Sequence, residues 1–155
     1  MKKHLNKIFF LLAISICSFE VSSEAIESEV SLLVHKTPTC GCCKTWVKHL
    51  EINGFSPSVK DHKSLQSIKE KYNIKSKYQS CHTGVSKDGY IFEGHIPSKY
   101  ITQFLSEDHP NAIGLSVPGM PLGSPGMEIE GMFTPYNVLI LFKDGSSKIY
   151  AEVRK

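Results

Sequence analysis

The sequence lacks the features that mark several large classes of function. Its net charge is only +3, and Lys and Arg are scattered rather than striped, which argues against a nucleic-acid partner. It contains no Gly-rich phosphate loop, no hydrolase triad and no internal repeat. The apolar run at 8–16 is too short to span a bilayer comfortably. What remains distinctive is the placement of a few cysteines, histidines and methionines.

The first 25 residues have the composition of an export signal. Three lysines precede the apolar run at 8–16, and Ser23 and Ala25 place small residues where a signal peptidase cleaves. We therefore predict a signal peptide at 1–25 and one domain of about 130 residues at 26–155, located in the periplasm without stable membrane insertion. Lipidation at Cys17 is the alternative, although Ile16 stands where a small residue would be needed; an uncleaved membrane anchor is another.

The motif Cys40-Gly41-Cys42-Cys43 is the most informative feature of the chain. Cys40 and Cys43 have the C-x-x-C spacing of thiol redox motifs, and Cys42 adds a thiol that a simple disulfide exchanger does not need. The motif precedes a predicted helix, whose N-terminus favours thiolate, so we expect lowered thiol pKa values, that of Cys40 most of all. Thiolates attack disulfides and bind soft metals, and the motif therefore predicts redox chemistry, metal binding or both.

Export would leave four cysteines, Cys40, Cys42, Cys43 and Cys81. Two structural disulfides are one interpretation, since exported domains commonly carry them. However, the neighbours Cys42 and Cys43 pair badly with each other, and a chain of this length does not need staples. We therefore expect the four sulfurs to converge in space.

The pattern along the chain is mixed α/β. Pro and Gly interrupt a long apolar segment after Gly114, where we expect regular structure to stop until Phe133 and the loop 117–127 to close over the cysteines. Turns are predicted at Asp88-Gly89 and Asp144-Gly145. The predicted strands are 30–35, 55–60, 90–93, 137–142 and 147–152. The first predicted helix is 42–53. A second is capped by Ser64 and buries Leu65, Ile68 and Tyr72, and a third starts at Pro97 and buries Ile101, Phe104 and Leu105.

The predicted order of elements resembles that of the thioredoxin-like fold, an α/β fold with a central mixed sheet and flanking helices. This order is strand, cysteine motif, helix, strand and helix. Five motifs then follow in order and together resemble a family of small exported proteins catalogued as a domain of unknown function, some members of which are periplasmic copper-resistance proteins of the CopG type. The resemblance implies a thioredoxin-like fold and copper held by clustered cysteines. The motifs are Cys40–Cys43, Ser80–Thr83, Glu93–Pro97, Gly114–Pro121 and Gly123–Glu128.

The residue types favour copper independently of that resemblance. Cu(I) prefers thiolate and thioether ligands, and three adjacent thiolates are more than one mononuclear site requires, so a multi-copper cluster that exchanges Cu(I) and Cu(II) is a reasonable expectation. Imidazole could come from His82, His95 or His35, although each could instead cap a turn, a helix or a strand end. The predicted metal ligands are Cys40, Cys42, Cys43, Cys81, His82, His95, Met120 and Met127.

Three functions compete at this point. The first is copper binding in periplasmic copper resistance, with other copper-handling proteins as partners. The second is metal-free thiol–disulfide exchange by Cys40 and Cys43. The third is a zinc or structural role, in which Cys40, Cys43, Cys81 and His82 would form a tetrahedral site and Cys42 and the methionines would have no purpose.

Overall fold

A seven-stranded mixed sheet organises the part of the chain that the computed structural model describes, residues 30–155. The strand order is β2-β1-β3-β4-β5-β6-β7. The elements are β1 (Val30–Lys36), α1 (Gly41–Ile52), β2 (Phe55–Asp61), α2 (Gln66–Lys71), a 3₁₀ turn (Ser76–Tyr78), β3 (Thr83–Ser86), β4 (Ile91–Glu93), α3 (Ser98–Ser106), β5 (Ala112–Ser116), β6 (Tyr136–Phe142) and β7 (Ser147–Val153).

The sheet confirms the predicted α/β class with a central mixed sheet. β1 pairs in parallel with β2, and β4 pairs in parallel with β5, whereas the other neighbours are antiparallel. The cysteine motif lies between β1 and α1, a position compatible with the thioredoxin-like arrangement. Because β3 pairs with β1, the start of β3 lies beside the end of β1, with Thr83 opposite His35. This register brings Cys81 and His82 to the edge of the sheet from which the cysteine loop departs.

The core forms where α1 and α3 cover the sheet. Trp46, Leu50 and Phe104 are fully buried and join one cluster with Leu32 and Val34 of β1. Trp46 also donates a hydrogen bond from Nε1 to the carbonyl of Ile96, at 2.9 Å. An indole that is both packed and hydrogen-bonded fixes α1 relative to the segment after β4. The first turn of α1, which carries the cysteines, therefore has a defined place.

Both predicted turns are present. Gly89 has φ +86° and donates its N–H to the carbonyl of Ser86 at 3.0 Å. Gly145 has φ +76° and donates to Phe142 at 2.9 Å, while Asp144 Oδ1 accepts from the N–H of Ser146 at 2.8 Å. Glycine tolerates these left-handed conformations, which explains why the Asp-Gly pattern located the turns.

Two predictions of local structure were wrong. Regular structure does not stop at Gly114, because β5 continues to Ser116 and pairs with β4 and β6. In α2, Ser64 Oγ accepts from the N–H of Gln66 as a cap would, at 3.2 Å, but the buried residue is Lys69 rather than the predicted apolar stripe. In both places tertiary contacts override the local pattern. β5 is stabilised by pairing with its neighbouring strands, and Lys69 is buried because it forms an ion pair with the buried carboxylate of Glu93.

The predicted signal peptide at 1–25 and Cys17 lie outside the described residues. Within residues 30–155, no helix has the length and apolar character needed to cross a membrane.

Candidate metal centre

Cys40 begins the site by capping α1. Its backbone is extended, with φ −72° and ψ 97°, and its Sγ accepts a hydrogen bond from the N–H of Cys43 at 3.3 Å. The helix then starts at Gly41, so Cys42 and Cys43 lie in its first turn. Cys43 is buried, and Cys40 and Cys42 are half-buried. The cap thus places three sulfurs around one helix end, where free N–H groups favour negative charge.

The four predicted cysteine ligands converge. The sulfur atoms of Cys40, Cys42, Cys43 and Cys81 all lie within 4.8 Å of one another. Cys81 Sγ lies 3.4 Å from Cys43 Sγ and 3.9 Å from Cys42 Sγ. Cys40 and Cys43 are joined in a disulfide, with their Cα atoms 5.3 Å apart, and Cys42 and Cys81 are free thiols. The spatial prediction from the sequence is therefore confirmed, although in this state only two of the sulfurs can become thiolates.

A second group of metal-ligating atoms shares Cys81 with the first. Cys81 Sγ lies 3.1 Å from Nε2 of His95 and 3.3 Å from Nδ1 of His82, and all three ligand atoms lie within 4.8 Å of one another. Since a thiolate sulfur can bridge two metal ions, the two groups together offer more than one ion could use. The number of donor residues in the two groups therefore exceeds the four of a single tetrahedral site.

His95 is held with one nitrogen directed at Cys81. It is fully buried, and its Nδ1–H donates to the carbonyl of Pro125 at 2.8 Å. The Nε2 lone pair is then directed toward Cys81. A histidine whose other nitrogen donates to a backbone carbonyl is the arrangement that proteins use to orient metal-binding imidazoles.

His82 is fully buried and has an unpartnered nitrogen. Its ring packs against Trp46, with centroids 4.3 Å apart, and meets the ring of His95 edge-on at 4.9 Å. Its Nε2 atom has no hydrogen-bond partner among the described residues. Buried polar atoms are rarely left so. The nitrogen of His82 that faces Cys81 is the other one, Nδ1, so Nδ1 is the atom that could share a metal with that sulfur.

Burial sets the protonation of these groups. It lowers the pKa of His82 well below its usual value and, to a lesser extent, lowers that of His95, so both imidazoles are neutral and able to coordinate. Burial, reinforced by the neighbouring Cys42, raises the pKa of Cys81 to about 12. The metal-free site therefore holds Cys81 as a thiol, and a bound cation would have to displace its proton.

The prediction of a lowered thiol pKa at the helix end is not tested for Cys40. Cys40 is in the disulfide and has no proton to lose in this state. The prediction for Cys40 therefore concerns only the reduced protein.

One end of the Pro/Gly segment 117–127, the covering loop, lies against the first turn of α1, and closure of the whole loop over the cysteines stays a prediction. Gly126 has φ +86°, and a Cβ placed there would lie 2.6 Å from the carbonyl oxygen of Cys42 and 3.0 Å from the nitrogen of Trp46. At the other end of the loop, Ser80 Oγ donates to the carbonyl of Gly119. The loop is thus attached both to α1 and to the segment that carries Cys81.

The methionines differ in exposure. Met120 is 52% exposed, and Met127 is half-buried one residue after the close contact at Gly126. Met127 is bound to the loop through its backbone, which donates to Ser124 at 2.8 Å and accepts from Gly123 at 2.9 Å. Ligation by either thioether stays a prediction.

The other histidines of the described residues lie outside both groups. His35 is buried and its Nδ1 lies 2.8 Å from Nε2 of His62, so it pairs with another histidine instead of joining the cysteines. His49 is half-buried, and its Nε2 accepts the N–H of Ser98, at the start of α3, at 3.0 Å.

Comparison with known proteins finds a family model and two similar solved structures. Residues 78–127, which include Cys81, His82 and His95, match the family described as "Protein of unknown function, DUF411". No curated protein matches the chain. Two solved structures, "Copper resistance protein copG" in Form 2 and Form 1, each share 37% sequence identity with it at a TM-score of 0.76. The matches cover 81% and 82% of this chain and 99% of each solved chain.

This chain belongs to the CopG family. Membership confirms the resemblance drawn from the ordered motifs, and the copper-resistance function is that of the solved relative.

Sequence reasoning about this CopG-family chain missed the residues that support the ligands. Trp46 packs against His82, the carbonyl of Pro125 accepts a hydrogen bond from His95, and Gly126 lies against the carbonyl of Cys42. Pro125 and Gly126 lie within a motif quoted for the resemblance, which was the available signal. Nothing local to Trp46 distinguishes it from an ordinary core residue.

Proposed function

We propose that this protein is a periplasmic copper-binding protein of copper resistance, which binds Cu(I) in a multi-copper cluster built on its four cysteines. The observation that carries the proposal is the position of Cys81, whose sulfur lies within 4.8 Å of three other sulfurs and, separately, of two imidazole nitrogens. Soft thiolates select Cu(I), and neutral imidazole adds ligands that suit copper.

The proposed ligand set follows from the two groups. Cys40, Cys42 and Cys43 would supply thiolates from the helix end once the disulfide is reduced, and Cys81 would bridge to His82 and His95. Met120 and Met127 are the proposed thioether contributors from the covering loop. Export through the signal at 1–25 would place the domain 26–155 in the compartment where excess copper first arrives.

Thiol–disulfide exchange is the second candidate, and one specific observation favours it. The Cys40–Cys43 disulfide lies 3.4 Å from a free thiol, because Cys81 Sγ approaches Cys43 Sγ. The raised pKa of Cys81 opposes its use as an attacking thiolate at neutral pH. Copper binding uses all four sulfurs and both buried imidazoles, whereas exchange uses neither the imidazoles nor Cys42.

Metal content separates the candidates. Residues 26–155 should be reduced, loaded anaerobically with Cu(I), desalted and analysed for copper, zinc and protein. More than one copper per chain, with sulfur and nitrogen scatterers at the copper absorption edge, supports the proposal. One zinc that copper does not displace would indicate the zinc role. A protein that binds neither metal but reduces insulin would instead be an oxidoreductase.

A further inference from the structure

A buried ion pair lies next to the segment that carries Cys81 and His82. Lys69 Nζ lies 2.5 Å from Glu93 Oε1, and the two side chains are only 4% and 0% exposed. Lys69 comes from α2 and Glu93 ends β4, so the pair joins two elements that are distant in sequence. Neither residue is among the proposed ligands.

The carboxylate of Glu93 binds both ends of the turn 80–83. Oε1 accepts the N–H of Ser80 at 2.6 Å, and Oε2 accepts the hydroxyl of Thr83 at 2.7 Å. Lys69 Nζ closes the network by donating to Thr83 Oγ1 at 2.8 Å. Between these two attachment points lie Cys81 and His82.

Stability alone is a poor explanation for this arrangement. Burial raises the pKa of the Glu93 carboxyl, an effect that Lys69 and the hydrogen bonds oppose. Removing two charges from water is costly, and apolar residues of similar volume can often replace a buried ion pair without loss of stability. An apolar pair could not, however, hold Ser80 and Thr83 by hydrogen bonds.

We propose that Glu93, with Lys69 as its counter-charge, is a positioning residue for the metal centre that fixes the turn 80–83 so that Cys81 and His82 face the other ligands. The inference rests on the proposed function for its metal readout. Glu93 also begins the segment to His95, and its carbonyl accepts the N–H of Val117 at 2.9 Å, so the same residue joins the turn, the second imidazole and the covering loop. Outer contacts of this kind change metal affinity by about 10- to 100-fold when lost.

The decisive variant removes the network without leaving an unpaired charge. In Lys69→Met/Glu93→Leu both side chains keep their approximate volume and no charge is left unpaired, so the fall in the urea midpoint should be limited to the effect of the hydrogen-bond partners that Ser80 and Thr83 lose. We expect its Cu(I) affinity, measured by competition with a Cu(I) chelator, to fall about 10- to 100-fold. Val138→Ala, at a fully buried site in β6, is the matched control: it should lower the urea midpoint and leave the affinity unchanged.

A second readout needs no metal. In the oxidised, metal-free protein the free thiols of the described chain are Cys42 and Cys81, and alkylation followed by mass spectrometry reports their relative reactivity. Loosening the turn should raise the ratio of Cys81 alkylation to Cys42 alkylation severalfold in the double variant. The near-isosteric Thr83→Val should raise this ratio to a smaller extent, and it provides the test if the double variant does not fold.

The two proposals fail in different ways. If wild-type protein binds no copper, the proposed function is wrong, and the alkylation ratio still decides whether Glu93 positions the turn. If wild-type protein binds copper and the folded variants show wild-type affinity and alkylation ratio, Glu93 and Lys69 are structural residues only and this inference is wrong.

Discussion

The sulfur of Cys81 lies 3.1 Å from Nε2 of His95, although the two residues belong to separate motifs 14 positions apart. The same sulfur lies 3.4 Å from that of Cys43. Cys81 is therefore the atom through which the helix-end cysteines and the buried histidines meet, and its removal should affect both groups.

Replacing Cys81 by Ser should reduce the number of bound copper ions more than replacing Cys42 does. Cys81 belongs to both ligand groups, whereas Cys42 belongs only to the sulfur group. Copper per chain after anaerobic loading and desalting measures the difference, with circular dichroism to confirm that both variants fold. Equal losses from the two variants would show that Cys81 is not shared.

Metal uptake should require reduction of the Cys40–Cys43 disulfide. In the oxidised protein two of the four sulfurs cannot act as thiolates, and only Cys42 and Cys81 remain free. Protein treated with a phosphine reductant should bind more Cu(I) than the oxidised protein when both are titrated against a chelator. Equal copper counts in the two states would place the disulfide outside the copper site.

Gly126→Ala should loosen the covering loop. The new Cβ would approach the Cys42 carbonyl at 2.6 Å, and φ of +86° adds the strain of a left-handed residue. Gly131→Ala is the matched control, because φ there is +75° with nothing within 4 Å. The control should lose about 1–2 kcal/mol of unfolding free energy from backbone strain, and Gly126→Ala should lose more. Urea unfolding of both variants makes the comparison, and an equal loss would mean that the loop does not press on α1.

Acid should destabilise the metal-free protein. Burial lowers the pKa of His82, His95 and His35, the last also through His62, so the unfolded chain binds protons that the folded chain does not. The contribution of these neutral histidines to the free energy of unfolding is present above the unfolded-state pKa of about 6.5 and is lost as the pH falls below it. The loss is up to about 1.4 kcal/mol per pH unit for each histidine that stays neutral in the folded protein. Urea midpoints from pH 7.5 to 5.5 should decline, and less steeply in His82→Gln. If the urea midpoint falls as steeply with pH in His82→Gln as in the wild type, a lowered pKa of His82 is not a cause of the acid sensitivity.

Met120→Leu/Met127→Leu should fold normally, because leucine has similar size and apolarity. It should nevertheless lower Cu(I) affinity or change the copper count, since Cu(I) binds thioether and not a hydrocarbon. The single variants identify the contributor, and we expect half-buried Met127 to matter more than Met120, which is 52% exposed. Unchanged copper count and affinity in competition with a chelator would make both methionines packing residues.

Local sequence patterns determined much of the backbone. The Asp-Gly turns, the helix after the cysteines and the strands at 137–142 and 147–152 follow from residue preferences that act over a few positions, and each is present in the structure. The prediction that the cysteines converge also came from sequence, by exclusion, because the spacing of Cys42 and Cys43 suits disulfides poorly.

Only the tertiary structure decided which side chains complete the site. Cys42 and Cys81 are 39 positions apart, and His95 and Pro125 are 30 apart; such contacts depend on strand register and on the path of the covering loop. The same reason explains why His82 and His95 join the cysteines while His35 pairs with His62. Glu93 begins one of the motifs that carry the resemblance, but neither it nor Lys69 showed in sequence that it would be buried. A charged residue indicates an exposed position unless a distant partner of opposite charge is folded against it.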